Sequence, residues 1–182
     1  KVCTVVWAAN PDYESPADSG GNNVYDITVS FTDGTNALSA QTTAITVTDA
    51  NDQTPTYTAG STTQTVNEGS SANIGSFALT DSDTGNSFSC TESGADAGDF
   101  TCSISGSLVT VAWASTPDYD NPADSNGDNV YAYSIVIDDG VNSASATTYA
   151  ITVADLNDQT PAVSVASTYN HAEAAATTFQ TY

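Results

Sequence analysis

Short stretches of alternating apolar and polar residues recur along the chain, most of them closed by a turn signal. Ile74-Gly75-Ser76-Phe77-Ala78-Leu79-Thr80 alternates up to the acidic turn Asp81-Ser82-Asp83. Val130-Tyr131-Ala132-Tyr133-Ser134-Ile135-Val136-Ile137 does the same up to Asp138-Asp139-Gly140. A period of two places every second side chain on one face of an extended strand, and Asp-Gly is a strong stop signal. The same reading gives strands over Thr62–Val66, Ser87–Cys90, Phe100–Ile104, Ser107–Trp113 and Thr148–Val153. No convincing helical period is present. The Ala-rich stretch 172–176 is short and lies where the repeat described next requires a strand. About seven strands with frequent turns predict an all-β fold of Greek-key β-sandwich type.

The pattern repeats. Pro11-Asp12-Tyr13 recurs as Pro117-Asp118-Tyr119, an offset of 106 residues, and Asp49–Pro55 recurs as Asp155–Pro161 at the same offset. Residues 5–55 align with 111–161 without a gap, and 30 of the 51 positions are identical. That identity marks tandem units of whole-domain size. The register predicts the C-terminal half of one repeat over 1–55, a complete repeat over 56–161, and the opening strands of a third over 162–182. In this last match His171-Ala172-Glu173 falls on Val66-Asn67-Glu68, with one gap of a single residue.

Charge narrows the partners. One Lys stands against 22 Asp and Glu, a formal net charge of −21. Such a surface repels phosphate backbones and anionic lipid, so neither nucleic acid nor direct membrane insertion is expected. No apolar run approaches the roughly 18–20 residues of a membrane helix. Cations are the natural partners, and the scarcity of Lys points to a saline or calcium-bearing exterior. Cys90 and Cys102 lie in one strand-rich region, and a disulfide between neighbouring strands is expected there, in keeping with an oxidising compartment. Cys3 is left over, either as a buried thiol or with a partner outside the chain.

The acidic residues gather at strand ends and turns, which a sandwich collects at its two poles. Crowded carboxylates repel unless a cation sits among them. Calcium suits such a place because it accepts six to eight oxygen ligands. Zinc does not, with one His and no cysteine pair at ligand spacing. A single Asp-x-Asp is most often a solvated turn, so the inference rests on the ordered set. Trp7 and Trp113 share one repeat position and are read as packing residues. His171 has no acid–base partner pattern, and no nucleophile or phosphate-loop motif occurs, so no enzyme is expected.

The ordered set resembles the cadherin repeat. Asp49-x-Asn51-Asp52-x-x-Pro55 and its twin Asp155–Pro161 resemble the family's linker motif. Pro11-Asp12-Tyr13-Glu14 resembles its Asp-x-Glu motif, Asp81-Ser82-Asp83 its Asp-x-Asp turn, and Glu68 its first-strand Glu. Asp139-Gly140 resembles the Asp-Gly closing a late strand. The acidic, Lys-poor style is more similar to bacterial or environmental cadherin-like repeats than to classical animal cadherins. The resemblance implies tandem sandwiches of cadherin (immunoglobulin-like) type, seven strands per complete repeat, with Ca2+ held between successive repeats. At the first junction it implies Asp12, Glu14, Asn51, Asp52 and the Gln53 carbonyl, joined by Asp81, Asp83, Asp139 and a carbonyl near Asn86. At the second it implies Glu68, Asp118, Asp120, Asn157, Asp158 and the Gln159 carbonyl. Asp33 would face a junction upstream of Lys1. Asp120 stands where the family has Glu and reaches one methylene less far; Asn86 follows Gly85 one place earlier than is typical.

The implied function is a calcium-rigidified extracellular rod, structural or adhesive, at a cell surface. It would be part of a long protein whose partners are adjoining repeats or copies of itself. Two alternatives stand beside it. One is a filament subunit whose half-sandwich is completed by strands of a neighbour, with residues 163–182 as donor and Glu173 supplied in trans. The other is a carbohydrate-binding adhesin directed at a glycan or a cell-surface protein.

Overall fold

The computed structural model describes residues 2–71 and 73–164. The expectations for His171, Glu173 and the stretch 172–176, and most of the proposed donor segment, lie outside the described residues. Two strands, β1 (Val24–Val29) and β2 (Gln41–Thr46), pair antiparallel with Val24 opposite Thr46 and Val29 opposite Gln41. Eight more follow: β3 (Thr56–Tyr57), β4 (Thr63–Asn67), β5 (Asn73–Thr80), β6 (Ser89–Ser93), β7 (Phe100–Ser105), β8 (Leu108–Trp113), β9 (Val130–Asp138) and β10 (Thr147–Ala154). They form two four-stranded sheets, ordered β4-β10-β9-β6 and β3-β5-β8-β7. Every pairing is antiparallel except β4 with β10, which is parallel. The all-β sandwich fold class is as the sequence predicts.

Two details differ from expectation. The sandwich has eight strands rather than seven, because Thr56–Tyr57 adds a two-residue strand against Thr80 and Leu79 of β5. So short a strand carries no period. The strand expected at Ser87–Cys90 runs instead over Ser89–Ser93, because its extent is set by pairing with β9, Ser89 opposite Asp138 and Ser93 opposite Ser134.

The core lies between the sheets. From β9, Tyr131, Tyr133, Ile135 and Ile137 point inward, and β10 adds Tyr149, Ile151 and Val153. The opposing sheet contributes Ile74, Phe77 and Leu79 from β5, Phe100 from β7, and Val109, Val111 and Trp113 from β8. Each such side chain fully buried contributes about 1.5–3 kcal/mol of transfer free energy. Aromatic rings run through this core in sequence. Phe100 lies 4.7 Å from Trp113 and 4.1 Å from Tyr133, Tyr133 lies 5.1 Å from Tyr149, and Tyr149 lies 5.6 Å from Phe77. Gly75 makes room for the Phe77 ring: a Cβ there would stand 2.5 Å from it.

The expected disulfide is present. Cys90 of β6 and Cys102 of β7, with Cα atoms 6.0 Å apart, tie the edge of one sheet to the edge of the other. The Glu92 carboxylate accepts the Cys102 N–H across the same seam. Cys3 is a free thiol and is exposed.

Candidate metal centre

Short polar loops shape the joint between the β1–β2 pair and the sandwich. Asp12 Oδ1 accepts the N–H groups of Glu14 (3.0 Å) and Ser15 (3.1 Å), and Asp118 Oδ1 repeats this with Asp120 (3.0 Å) and Asn121 (3.1 Å). These are Asx turns, in which an Asp side chain folds its own backbone. Asp81 closes the next loop, its Oδ1 accepting the Asp83 N–H (3.1 Å) and its Oδ2 the Asn86 amide (3.2 Å). Asp139 Oδ1 accepts from Val141 (2.8 Å) and Asn142 (2.7 Å).

Four sets of bonds cross from the segment after β2 to loops of the sandwich. The Gln53 N–H donates to Asp83 Oδ2 at 2.8 Å. Asp49 Oδ2 accepts the Thr84 N–H at 2.7 Å and also the Thr84 hydroxyl. The Asn51 amide donates to the Asp139 carbonyl at 3.3 Å, and Asn142 donates to Asn51 Oδ1 at 3.2 Å. These bonds bring Glu14 and Asp52 from one side against Asp83 on the other. Glu14, Asp52 and Asp83 form one group, and Asp81, Asp83 and Asp139 another, with the oxygens of each within 4.8 Å of one another. Asp83 belongs to both.

The donor set fits a hard cation. Asp83 and Asp139 are only 8% and 4% exposed. Yet Asp83 Oδ1, Asp139 Oδ2, Glu14 Oε1 and Asp49 Oδ1 are each buried without a hydrogen-bond partner. Buried carboxylate oxygens are ordinarily satisfied, and leaving them bare is costly. Calcium accepts all three kinds of donor present here: carboxylates, amide oxygen and backbone carbonyl. Without it, desolvation first, then Asp49 and the charge of Asp83, push the Glu14 carboxyl up to about 7. Asp49 is held below the usual carboxylate range by its two bonds from Thr84.

A third group, Glu68, Asp120 and Asp155, lies on the sandwich itself, with its oxygens again within 4.8 Å of one another. Glu68 is anchored by the N–H groups of Leu156 (2.6 Å) and Tyr119 (2.8 Å), which lower its pKa. Asp155 titrates higher than usual, through desolvation and then the charges of Asp120, Glu68 and Asp158. Asp120 reaches this group despite lacking a methylene relative to Glu.

Several expected residues stand apart. Asp12 and Asp118 belong to none of the three groups among the described residues, their Oδ1 atoms being engaged in their own turns. Asn157, Asp158 and Gln159 are exposed, and Gln159 donates to Asp158 Oδ1 at 3.1 Å. Asp33 is exposed in a turn like that of Asp139. Conversely, Thr84 and Asn142 take part although no motif contains them, and Asp49 and Asp155, which open the two linker motifs, take part although they are not among the expected ligands. The duplication of Asp49 as Asp155 was the available signal.

Fold and site together define a β-sandwich preceded by a two-stranded unit, with an acidic joint between the two. No protein-family model matches the chain, and no curated protein matches it. Solved structures do. Protocadherin gammaB7 EC3-6, solved as a cis-dimer, is 26% identical over 81% of this chain and 34% of its own, with a TM-score of 0.60. Human protocadherin-24 EC1-2 is 18% identical over 82% of this chain and 71% of its own, at 0.62. Drosophila N-cadherin EC1-4 is 18% identical over 79% of this chain and 34% of its own, at 0.60. The chain thus spans about a third of the first of these. The fold is that of cadherin extracellular domains, and the sandwich of β3–β10 is a cadherin-like repeat.

Proposed function

We propose that this chain is a segment of an extracellular rod in which calcium stiffens the joints between cadherin-like repeats. The units are the half repeat 1–55, the complete repeat 56–161 and the start of a third over 162–182. At the first joint, Glu14, Asn51, Asp52 and the Gln53 carbonyl would hold the ion from one side. Asp81, Asp83, Asp139 and a carbonyl near Asn86 would hold it from the other. Glu68, Asp120 and Asp155, with Asn157, Asp158 and Gln159, would serve the next joint, and Asp12 and Asp118 would act through the turns they close. A bound cation supplies a charge that cancels the repulsion and links oxygens of two rigid bodies. The role is structural or adhesive rather than enzymatic, at a cell surface, with adjoining repeats or further copies as partners.

The observation that carries this reading is Asp83: buried, shared by both acidic groups, and left with a bare oxygen where the two units meet. Small-angle scattering in calcium and in chelator tests it. Calcium should lengthen and straighten the particle, and a scattering curve indifferent to chelation would refute the proposal.

A further inference from the structure

Calcium explains how the joint is stiffened, but not how its carboxylates find one another beforehand. At −21 overall, two acidic units approaching each other repel. Several bonds cross the joint with no cation, and one residue contributes two of them to a single carboxylate oxygen. Thr84, in the loop after β5, gives both its backbone N–H (2.7 Å) and its hydroxyl to a single oxygen, Oδ2 of Asp49, 35 residues earlier. Both donors are neutral and the acceptor is an anion, the combination that makes the stronger class of hydrogen bond.

We propose that Thr84 is a positioning residue of the joint: it clasps Asp49 of the preceding unit and so aligns the two units before any cation arrives. Thr84 follows Asp83 directly, so fixing its backbone fixes the residue common to both acidic groups. The Asp83 N–H is in turn bonded to Asp81 Oδ1 at 3.1 Å, which carries the alignment to a second member. The Gln53 N–H bond to Asp83 Oδ2 at 2.8 Å holds the same loop from four residues beyond Asp49. The side chain at 84 therefore has to be a donor. Valine, of the same shape, would leave Asp49 with the backbone bond alone. A site assembled in advance binds its ligand more tightly, because less ordering remains to be done on binding.

This inference rests on the calcium reading only for its effect on affinity; the alignment itself is independent of it. The test uses the 182-residue chain in a Cys3→Ser background, with nitroxide labels on Thr43→Cys and Thr91→Cys, exposed positions of β2 and β6. The variants are Thr84→Val and Thr84→Ser. In chelator, the unsubstituted chain and Thr84→Ser should give the same distance distribution and Thr84→Val a broader one, and calcium should narrow all three further. With calcium, Thr84→Val should bind roughly tenfold more weakly, the low end expected for losing a hydrogen bond to a charged group, and Thr84→Ser should bind as the parent does. A Thr84→Val distribution as narrow as the parent's in chelator overturns the clasp, and so does calcium affinity equal to or tighter than the parent's. A parent that binds no calcium would sink the calcium reading, while the chelator measurement would still decide the clasp.

Discussion

Replacing Asp83 by Asn separates a metal joint from a merely acidic one. The side chain is 8% exposed, its Oδ2 accepts the Gln53 N–H, and its Oδ1 is buried with no partner. Asn keeps the shape and, through its amide oxygen, the bond to Gln53, but it removes the charge from both acidic groups of the first joint at once. Extracellular modules hold calcium with dissociation constants of about 10⁻⁴–10⁻³ M. At roughly 10 mM free calcium the ion is then in about 10- to 100-fold excess, and one ion adds about 1.4–2.7 kcal/mol to the stability of the folded state. A domain of about 100 residues gains about 4–8 °C in Tm per kcal/mol, so calcium should raise the melting temperature by about 6–20 °C.

Because Asp81, Asp83 and Asp139 all belong to the sandwich, its unfolding would release an ion held by them. Calorimetry in calcium and in chelator reads the effect directly. The parent should show the calcium shift, and Asp83→Asn should lose most of it. In chelator the variant should melt at or above the parent, since a repelling charge has gone. An equal calcium shift in parent and variant would refute the assignment of Asp83. No shift in the parent would refute the metal joint.

Three further outcomes concern the disulfide, Glu14 and Tyr133. Reducing the Cys90–Cys102 bond, or replacing both by Ser, removes a cross-link spanning 12 residues and should cost about 3 kcal/mol by loop-closure entropy, read by urea unfolding. Glu14, raised from 4.5 to about 7 in the cation-free chain, binds more protons folded than unfolded over that interval. The stability it contributes without metal is therefore fully present below about pH 4.5 and lost as pH rises through 7, whereas calcium needs the ionised form. Calcium titrations should accordingly show affinity rising from pH 5.5 to 7.5, with proton release on binding that disappears above that range. Tyr133→Phe deletes a hydroxyl that is buried without a partner, so it should leave stability unchanged or raise it by up to about 1 kcal/mol in chemical denaturation.

The sandwich was legible because its longest strands alternate cleanly. On β9 the inward set Tyr131, Tyr133, Ile135 and Ile137 follows directly from a period of two. Strand β3 was not legible, since two residues define no period and its place comes from pairing with Thr80 and Leu79. At the joint, turn-forming Asp residues could be found from spacing, but not what each oxygen does once folded. Asp12 and Asp118 have the right spacing, yet their Oδ1 atoms are engaged by backbone two and three residues on. Asn142 and Thr84 were invisible because their partners, Asn51 and Asp49, lie 91 and 35 residues away. Local bonding can be read locally. Contacts between units cannot.

The duplicated segment makes this separation concrete, because one sequence occurs twice in different surroundings. Asn23 and Asn129 both adopt φ of 62°, and both donate to the carbonyl of a Tyr ten residues earlier, at 2.9 and 3.0 Å. The hydroxyls of Tyr25 and Tyr131 each accept a backbone N–H at 3.0 Å, from Ala17 and Ala123. The loops are thus the same. Burial is not: Trp113 is 9% exposed and Trp7 43%, and β2 is exposed throughout where β10 buries Tyr149, Ile151 and Val153. The difference is the sheet β3-β5-β8-β7, which covers β9 and β10 and has no counterpart over β1 and β2 among the described residues. Loop geometry is therefore a property of the repeat sequence, and core burial of the opposing sheet. The acidic joint needs both: local Asx turns to present the carboxylates, and a second unit to bring Asp83 and Asp139 against Glu14 and Asn51. The group of Glu14, Asp52 and Asp83, divided in this way, cannot form within either unit alone, which is why a cation held there would report the alignment of the two.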